Sequence, residues 1–335
     1  MFGCLTIQNT RGNDYIQRNF EKNTTVGAAS TKKFGRGVCW MKFYSRWLSL
    51  LLRNVSFLSR IVEKLAYLAN VKPGIKNELV HNISSQATNY DFQRRLVEIS
   101  KSLRIERVTN PNIGFSRFGN QFDGGYVMVN DFNSNDALLS LGVGSDVTLD
   151  AELSKIISKV HFYDHTVSDL PQAIHNAVLH KEEIGYIKES TVTLEEALIR
   201  LKSAGDMILK MDIEGSEWEV LEKTVSLGEF KQIVIEFHGL HQLIYLDAFI
   251  KIVSALRKIH STHAPVHLHA NNYVPLAIIG NSVVPDVIEV TYLNRSKYKT
   301  TLIDPLPGAE FDSPNCSLIP EIALSFPLPT RFDRI

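Results

Sequence analysis

From about residue 113 to residue 293 the chain alternates short apolar runs with longer amphipathic stretches, and this alternation limits what it can fold into. The runs predict strands at 125–130 (GYVMVN), 137–142, 159–163, 207–212, 231–237, 265–269 and 286–293. The amphipathic stretches predict helices at 149–158, 193–204, 216–224 and 244–260. Thr193 and Glu196 make a capping box, in which hydroxyl and carboxylate satisfy amides at a helix start. Strands separated by helices specify an open α/β sheet with helices on both faces. The last two predicted strands lack an obvious helix between them and are expected to pair antiparallel at one sheet edge.

The flanks read differently. Residues 1–40 are polar and rich in Gly, Thr and Lys, which predicts disorder, and Met41 is a second candidate start. Residues 41–110 predict a helical extension, residues 111–300 the α/β domain, and residues 301–335 a proline-containing tail packed on that domain. Within the extension Arg46, Arg53 and Arg60 recur every seven residues beside Leu50, Phe57, Ile61 and Leu65, and Pro73-Gly74 closes the segment. Such a helix suits packing on its own domain or on a second subunit first, and an anionic membrane surface as the alternative. No stretch is long and apolar enough to span a bilayer, so the expected location is cytoplasmic, with peripheral membrane contact open. The 36 basic and 36 acidic residues cancel, without the basic excess of a nucleic-acid binder. Cys4, Cys39 and Cys316 are too far apart for a zinc cluster or a disulfide framework. Neither composition nor pattern fixes an oligomeric state.

Residues 138–146 (LLSLGVGSD) run an apolar strand into Gly142 and Gly144. This pattern makes a tight turn that brings backbone close to a ligand, although the third glycine of the dinucleotide fingerprint is missing. Asp164 ends the next strand, twenty residues after Gly144, where a carboxylate can accept both hydroxyls of a ribose. Asp146 would repel a pyrophosphate and attract the cationic amino-acid end of S-adenosylmethionine. Farther on, Asp212, Glu214, Glu217, Glu236, His238 and His241 follow or end apolar strands, and His267 and His269 alternate on one. In open α/β sheets ligands bind beyond the carboxyl ends of the strands.

The segment LKMDIEGSEWEVL at 209–221, after TLEEAL at 193–198, resembles the FkbM-type class I S-adenosylmethionine-dependent methyltransferases. RFGNQFDGGYVMVND at 117–131 is similar to the entry of the same domain in methyltransferase-like proteins. The resemblance covers roughly residues 113–295. It implies a Rossmann-like, seven-stranded mixed sheet with helices on both faces. It also implies that Gly142, Gly144 and Ser145 line the methionine part of the cofactor and that Asp164 takes the ribose. Asp123, Gly124 and Gly125 would lie near the cofactor entrance, although Asp123 could equally cap a strand. Asp212 and Glu214 would stand above the reaction centre, with Asp212 and Asp146 also counted among the cofactor contacts.

The expected function is methyl transfer from S-adenosylmethionine to oxygen of a saccharide or other small hydroxylated acceptor, with N-methylation open. His238 is the first candidate base, because histidine titrates near neutrality. Asp212, Glu214, Glu236 and His269 are the other catalytic candidates, and Asn271, Asn272 and Tyr273 are candidate donors to the acceptor. Asp212, Glu236 and His238 also offer ligands to a divalent metal, which the resemblance does not demand. Two other classes stay open: an NAD-dependent oxidoreductase, and a non-catalytic scaffold in which the acids are consumed by internal pairs.

Overall fold

The computed structural model describes residues 89–186, 191–274, 276–279, 282–303, 310–322 and 324. The helix expected around Arg46, Arg53 and Arg60, residues 1–40 and much of the tail after residue 303 lie outside the described residues. Among the described residues no helix is long and apolar enough to cross a membrane.

The chain begins with helix α1 (Asn89–Leu103) and short strand β1 (Glu106–Val108). A hairpin follows, β2 (Phe115–Gly119) and β3 (Gly125–Val129). Then come β4 (Ala137–Leu141), α2 (Thr148–Leu153), β5 (Lys159–Tyr163), β6 (Ala177–His180), α3 (Leu194–Leu201), β7 (Met207–Met211) and α4 (Glu217–Lys223). The last part carries β8 (Phe230–Phe237), α5 (Leu246–Thr262), β9 (His263–Ala270), β10 (Leu276–Ile279), β11 (Ser282–Pro285), β12 (Ile288–Asn294) and β13 (Thr300–Leu302).

Seven strands form the central sheet in the order β6-β5-β4-β7-β8-β12-β9. β6, β5, β4, β7 and β8 pair in parallel, and β12 runs antiparallel to both β8 and β9. This is the open α/β sheet that the alternation predicts and the mixed class I, Rossmann-like sheet that the resemblance implies, with one difference. The expected strand at 125–130 belongs to the separate β2–β3 hairpin, and β6 takes the seventh place. β6 is four residues long and only partly buried, so it leaves little apolar signal. β9 and β12 pair antiparallel at one edge of the sheet, as expected, with β9 outermost. Packing from both sides makes β12 buried throughout.

Side chains alternate along each strand, so neighbouring residues feed different cores. Leu139, Leu141, Leu209, Met211, Ile233 and Ile235 pack with α1, α3, α4 and α5. Leu138, Val160, Phe162, Ile208 and Val234 pack on the other face with Leu149 and Leu153 of α2 and Phe118, Tyr126 and Met128 of the hairpin. Helices therefore stand on both faces, but on the second the hairpin does much of the covering. Gln232 of β8 fixes it there: its side chain accepts from the Val129 amide at 2.7 Å and donates to the Val129 carbonyl at 3.1 Å. The capping box is present, with the Thr193 hydroxyl accepting from the Glu196 amide.

Candidate active site

Register places the candidate residues on one edge. Leu141 pairs with Tyr163 and with Met211, so Gly142, Asp164 and Asp212 leave their strands at the same level. Met211 pairs with Ile235, which puts Glu236 beside Asp212. Glu289 of β12 pairs with Glu236 on one side and His269 on the other. Ile208 and Val234 face the hairpin. The period of two therefore turns Lys210 and Asp212, and Glu236 and His238, towards the same face. That face is apolar at its base and polar at its carboxyl edge.

The glycine turn and Asp164 form one unit. Gly142 has φ 82°, and a Cβ there would lie 1.7 Å from the Asp212 carbonyl oxygen. Its lack of a side chain is thus needed for two strand ends to meet. Gly144 has φ 55° but open space where a Cβ would stand, as a turn facing a ligand requires. One Asp164 oxygen accepts from the Val143 and Gly144 amides at 2.8 and 3.2 Å, and the other from the Thr166 amide and hydroxyl at 2.7 and 2.6 Å. Burial works to raise the Asp164 pKa, but the bonds from Thr166, Val143 and Gly144 outweigh it and hold the group below the ordinary value. Asp164 therefore pins the turn, with its acceptor positions already engaged. Asp146 is engaged as well: it accepts from the Thr148 amide and hydroxyl at the start of α2, and from Asn120 at 3.2 Å. Ser145 is exposed on the turn. A Cβ on Gly124 would sit 3.1 Å from the Asp146 side chain, so the hairpin turn closes on the glycine turn.

Four of the five expected catalytic residues come together. His238 Nε2 lies 3.9 Å from Asp212, 3.5 Å from Glu214 and 3.8 Å from Glu236, while its Nδ1 lies 3.1 Å from Glu217. Glu217 is fully buried and also accepts from the Ile213 and Gly215 amides, so it fixes both the ring and the loop after β7. Burial alone would lower the His238 pKa, but the bond to Glu217 and the charges of Glu217, Glu236 and Asp212 raise it to about 9. At neutral pH the ring is then an imidazolium. Glu217, Glu236 and Asp212 thus favour the cation, which weighs against His238 as a neutral base, while burial and the neighbouring Asp212 and Glu289 push the Glu236 pKa well up. Glu214 reaches the cluster from a left-handed backbone, φ 54°, and remains largely exposed.

His269 stands apart from this cluster. It bridges Glu289 and Glu321 at 3.1 Å each, and these two bonds outweigh burial to raise its pKa to about 10. It ties the C-terminal segment to the sheet, together with His267, which pairs with Asp312 at 2.8 Å. Asn315 bonds both Asp123 and Glu289. The Asp123 pKa is raised, first by burial and then by Glu289, Asp212 and Asp146. Asn271 donates to Glu236 at 3.0 Å, and Asn272 donates to carbonyls of Cys316 and Ile319. Both amides are engaged within the protein. Tyr273 is half exposed, and His241 pairs with Asp286.

Two members escaped the sequence reading. The Tyr126 hydroxyl donates to Glu236 at 2.8 Å and lies 3.3 Å from Asp212. Lys210 Nζ donates to the Gly142 carbonyl at 2.7 Å and lies 3.4 Å from Asp212. Lysine inside the apolar run MILKM was a readable signal, because a buried ammonium needs partners. Tyr126 gave a weaker one, a phenol in a strand otherwise apolar.

No curated protein matches the chain. Among solved structures it is similar to precorrin 8W decarboxylase of Methanobacterium thermoautotrophicum, at 14% identity over 48% of this chain and 83% of that one, with TM-score 0.30. An rRNA methylase from Streptococcus thermophilus matches at 16% identity over 49% and 89%, TM-score 0.28. Precorrin-6y C5,15-methyltransferase from Geobacter metallireducens matches at 12% over 49% and 81%, TM-score 0.29. Likenesses this distant say nothing of reaction or acceptor. Residues 109–262, which hold the hairpin, the glycine turn and the acid–histidine cluster, match the family model described as Methyltransferase FkbM domain, and this part of the chain belongs to the FkbM-type class I methyltransferases.

Proposed function

We propose that the chain transfers the methyl group of S-adenosylmethionine to a hydroxyl of a saccharide or another small hydroxylated acceptor. The observation that carries this reading is the shared edge: the Asp164-pinned glycine turn and the Asp212 cluster leave neighbouring strands at one level. A cofactor lying along that edge would run its methionine part past Gly142, Gly144 and Ser145 and its ribose towards Asp164. The Thr166 hydroxyl can rotate away and free one acceptor position for a ribose hydroxyl. The sulfonium would then face a mouth rich in carboxylates, which favours a cation. Asp146, already bound to Thr148, contributes charge at the methionine end rather than a free acceptor.

In the transfer, the acceptor oxygen attacks the methyl carbon opposite sulfur. The carbon–oxygen bond forms as the carbon–sulfur bond breaks, and sulfur leaves as a neutral thioether. Asp212 is suited to take the acceptor proton. One of its oxygens is held by Tyr126 and Lys210, and the other turns towards His238. His238 as imidazolium and Glu236, bonded to Tyr126 and Asn271, position that carboxylate.

Calorimetric titration with S-adenosylmethionine, against NAD as the matched comparison, tests the cofactor. Micromolar binding that Asp164→Ala weakens strongly is expected, followed by methyl transfer to members of a saccharide panel. Binding of NAD alone overturns the reading.

A further inference from the structure

The acid–histidine cluster has a feature that methyl transfer alone does not require. Two of its side chains, His238 and Asp212, are each tied down by one atom and present another to the same point. His238 is held through Nδ1 by Glu217, leaving Nε2 to face inward. Asp212 is held through Oδ2 by Tyr126 and Lys210, leaving Oδ1 to face inward. Glu236 is held through Oε2 by Tyr126, and its Oε1, which accepts from Asn271, is 3.8 Å from His238 Nε2. Glu214 closes over the top from its left-handed backbone and keeps a solvent-facing side.

We propose that Asp212 Oδ1, one carboxylate oxygen of Glu214 and His238 Nε2 bind a first-row divalent transition-metal ion, with Glu236 at its rim. The three ligand atoms lie within 4.8 Å of one another. Bonds of about 2.0–2.2 Å to one central ion bring such atoms to roughly 3–4 Å apart, so small side-chain movements complete the site. The donor chemistry selects the class of ion. One imidazole among carboxylates suits Mn²⁺, Fe²⁺ or Zn²⁺ better than Ca²⁺, which takes oxygen ligands only. The outer partners also fit, because a ligating histidine needs its other nitrogen held, commonly by a carboxylate, and Glu217 does this from a fully buried position. Coordination takes the place of the Nε2 proton of His238, which is released to solvent, and makes Asp212 a ligand instead of the proton acceptor. The exposed side of Glu214 leaves coordination positions open to solvent or to an acceptor hydroxyl, which the ion would acidify. That use of the ion rests on the methyl-transfer reading, whereas its binding does not.

The test uses the full chain after chelator treatment, with Mn²⁺ as the probe followed by electron paramagnetic resonance. Expected is saturable binding of one Mn²⁺ per chain, with nitrogen modulation from the His238 ring in the pulsed spectrum. His238→Gln should lose the modulation and weaken binding at least about tenfold, and Glu217→Gln should weaken it by about 10–100-fold. Circular dichroism of each variant separates loss of the site from loss of the fold. The wild-type spectrum needs no variant: no saturable binding, or bound Mn²⁺ without nitrogen modulation, overturns the proposal. Modulation that survives in a folded His238→Gln chain overturns it too. S-adenosylmethionine is titrated in parallel. Cofactor binding without Mn²⁺ binding removes the metal and leaves the methyl-transfer reading intact; Mn²⁺ binding without cofactor binding does the reverse.

Discussion

The two halves of the carboxyl edge manage their carboxylates in opposite ways. On the β4–β5 side, Asp164 and Asp146 are surrounded by backbone amides and hydroxyls of residues mostly close in sequence. Their charge is absorbed by the turns they stabilise. On the β7–β8 side, Asp212, Glu214 and Glu236 surround His238 and one another, drawing partners from the hairpin, from Lys210 and from the end of β9. Burial, Asp212 and Glu289 push the Glu236 pKa well up, and oxygens of all three acids face the His238 ring. The first arrangement makes a rigid rim for a ligand, and the second makes a reactive one. Chemistry should therefore be lost mainly by changes on the β7–β8 side, and loop geometry mainly by changes on the β4–β5 side.

The sharpest break of that contrast is Asp212→Asn. Asparagine retains an oxygen for Tyr126 and Lys210 but takes up an acceptor proton poorly. The turnover number for methyl transfer should fall by about 10²–10⁴, the usual range for a lost general base. Cofactor affinity should stay within a few-fold and the melting transition near that of the unaltered chain. Steady-state kinetics beside calorimetry reads both. Unchanged turnover would move the proton acceptor elsewhere and remove the division between the two sides.

On the glycine side the effect should appear in stability, and differently at the two glycines. Gly142→Ala drives a methyl group onto the Asp212 carbonyl, 1.7 Å from where its Cβ would stand. Backbone on backbone cannot yield cheaply, so a loss of about 4 kcal/mol or more is expected, at the far end of single substitutions. Gly144→Ala meets open space and bears only its left-handed backbone, about 1–2 kcal/mol. Urea denaturation compares them, while calorimetry asks whether Gly144→Ala weakens cofactor binding more than its stability loss explains. Equal stability losses would mean that Gly142 is not the contact joining β4 to β7.

The same contrast explains what the sequence disclosed. The strands, the capping box and the glycine turn are local patterns, carried by periodicity or by partners a few residues away, and these were legible. Asp212, Glu214, Glu236 and His238 could be placed together because each follows an apolar run in a parallel sheet. Their protonation could not be read, because His238 is set by Glu217 and Glu236 through three-dimensional proximity. The role of Tyr126 could not be read for the same reason: it reaches Glu236 across 110 positions of chain, from a hairpin whose place over the sheet rests on Gln232. β6 was missed for a different cause, since a short, half-exposed edge strand carries almost no hydrophobic period.

A pH-dependent effect at Asp164 separates its structural duty from any contact with cofactor. Its carboxylate pKa is held below 3.8 in the folded chain, chiefly by hydrogen bonds that overcome burial. A depressed carboxylate contributes stability that is fully present above the unfolded value and is lost as pH falls through the folded one. Asp164→Asn keeps the shape but not the charge or all four acceptor positions. At pH 7 it should cost about 1.5–3 kcal/mol, the range for a hydrogen bond to a charged group. The deficit should shrink as pH falls below 3.8, where the unfolded chain takes up the proton first, and vanish below the lower folded value. Urea titrations of both chains between pH 7 and pH 3 measure this convergence. Curves that stay parallel would show that the Asp164 charge does not hold the turn, and the carboxylate would then be available to a ribose without the rotation of Thr166.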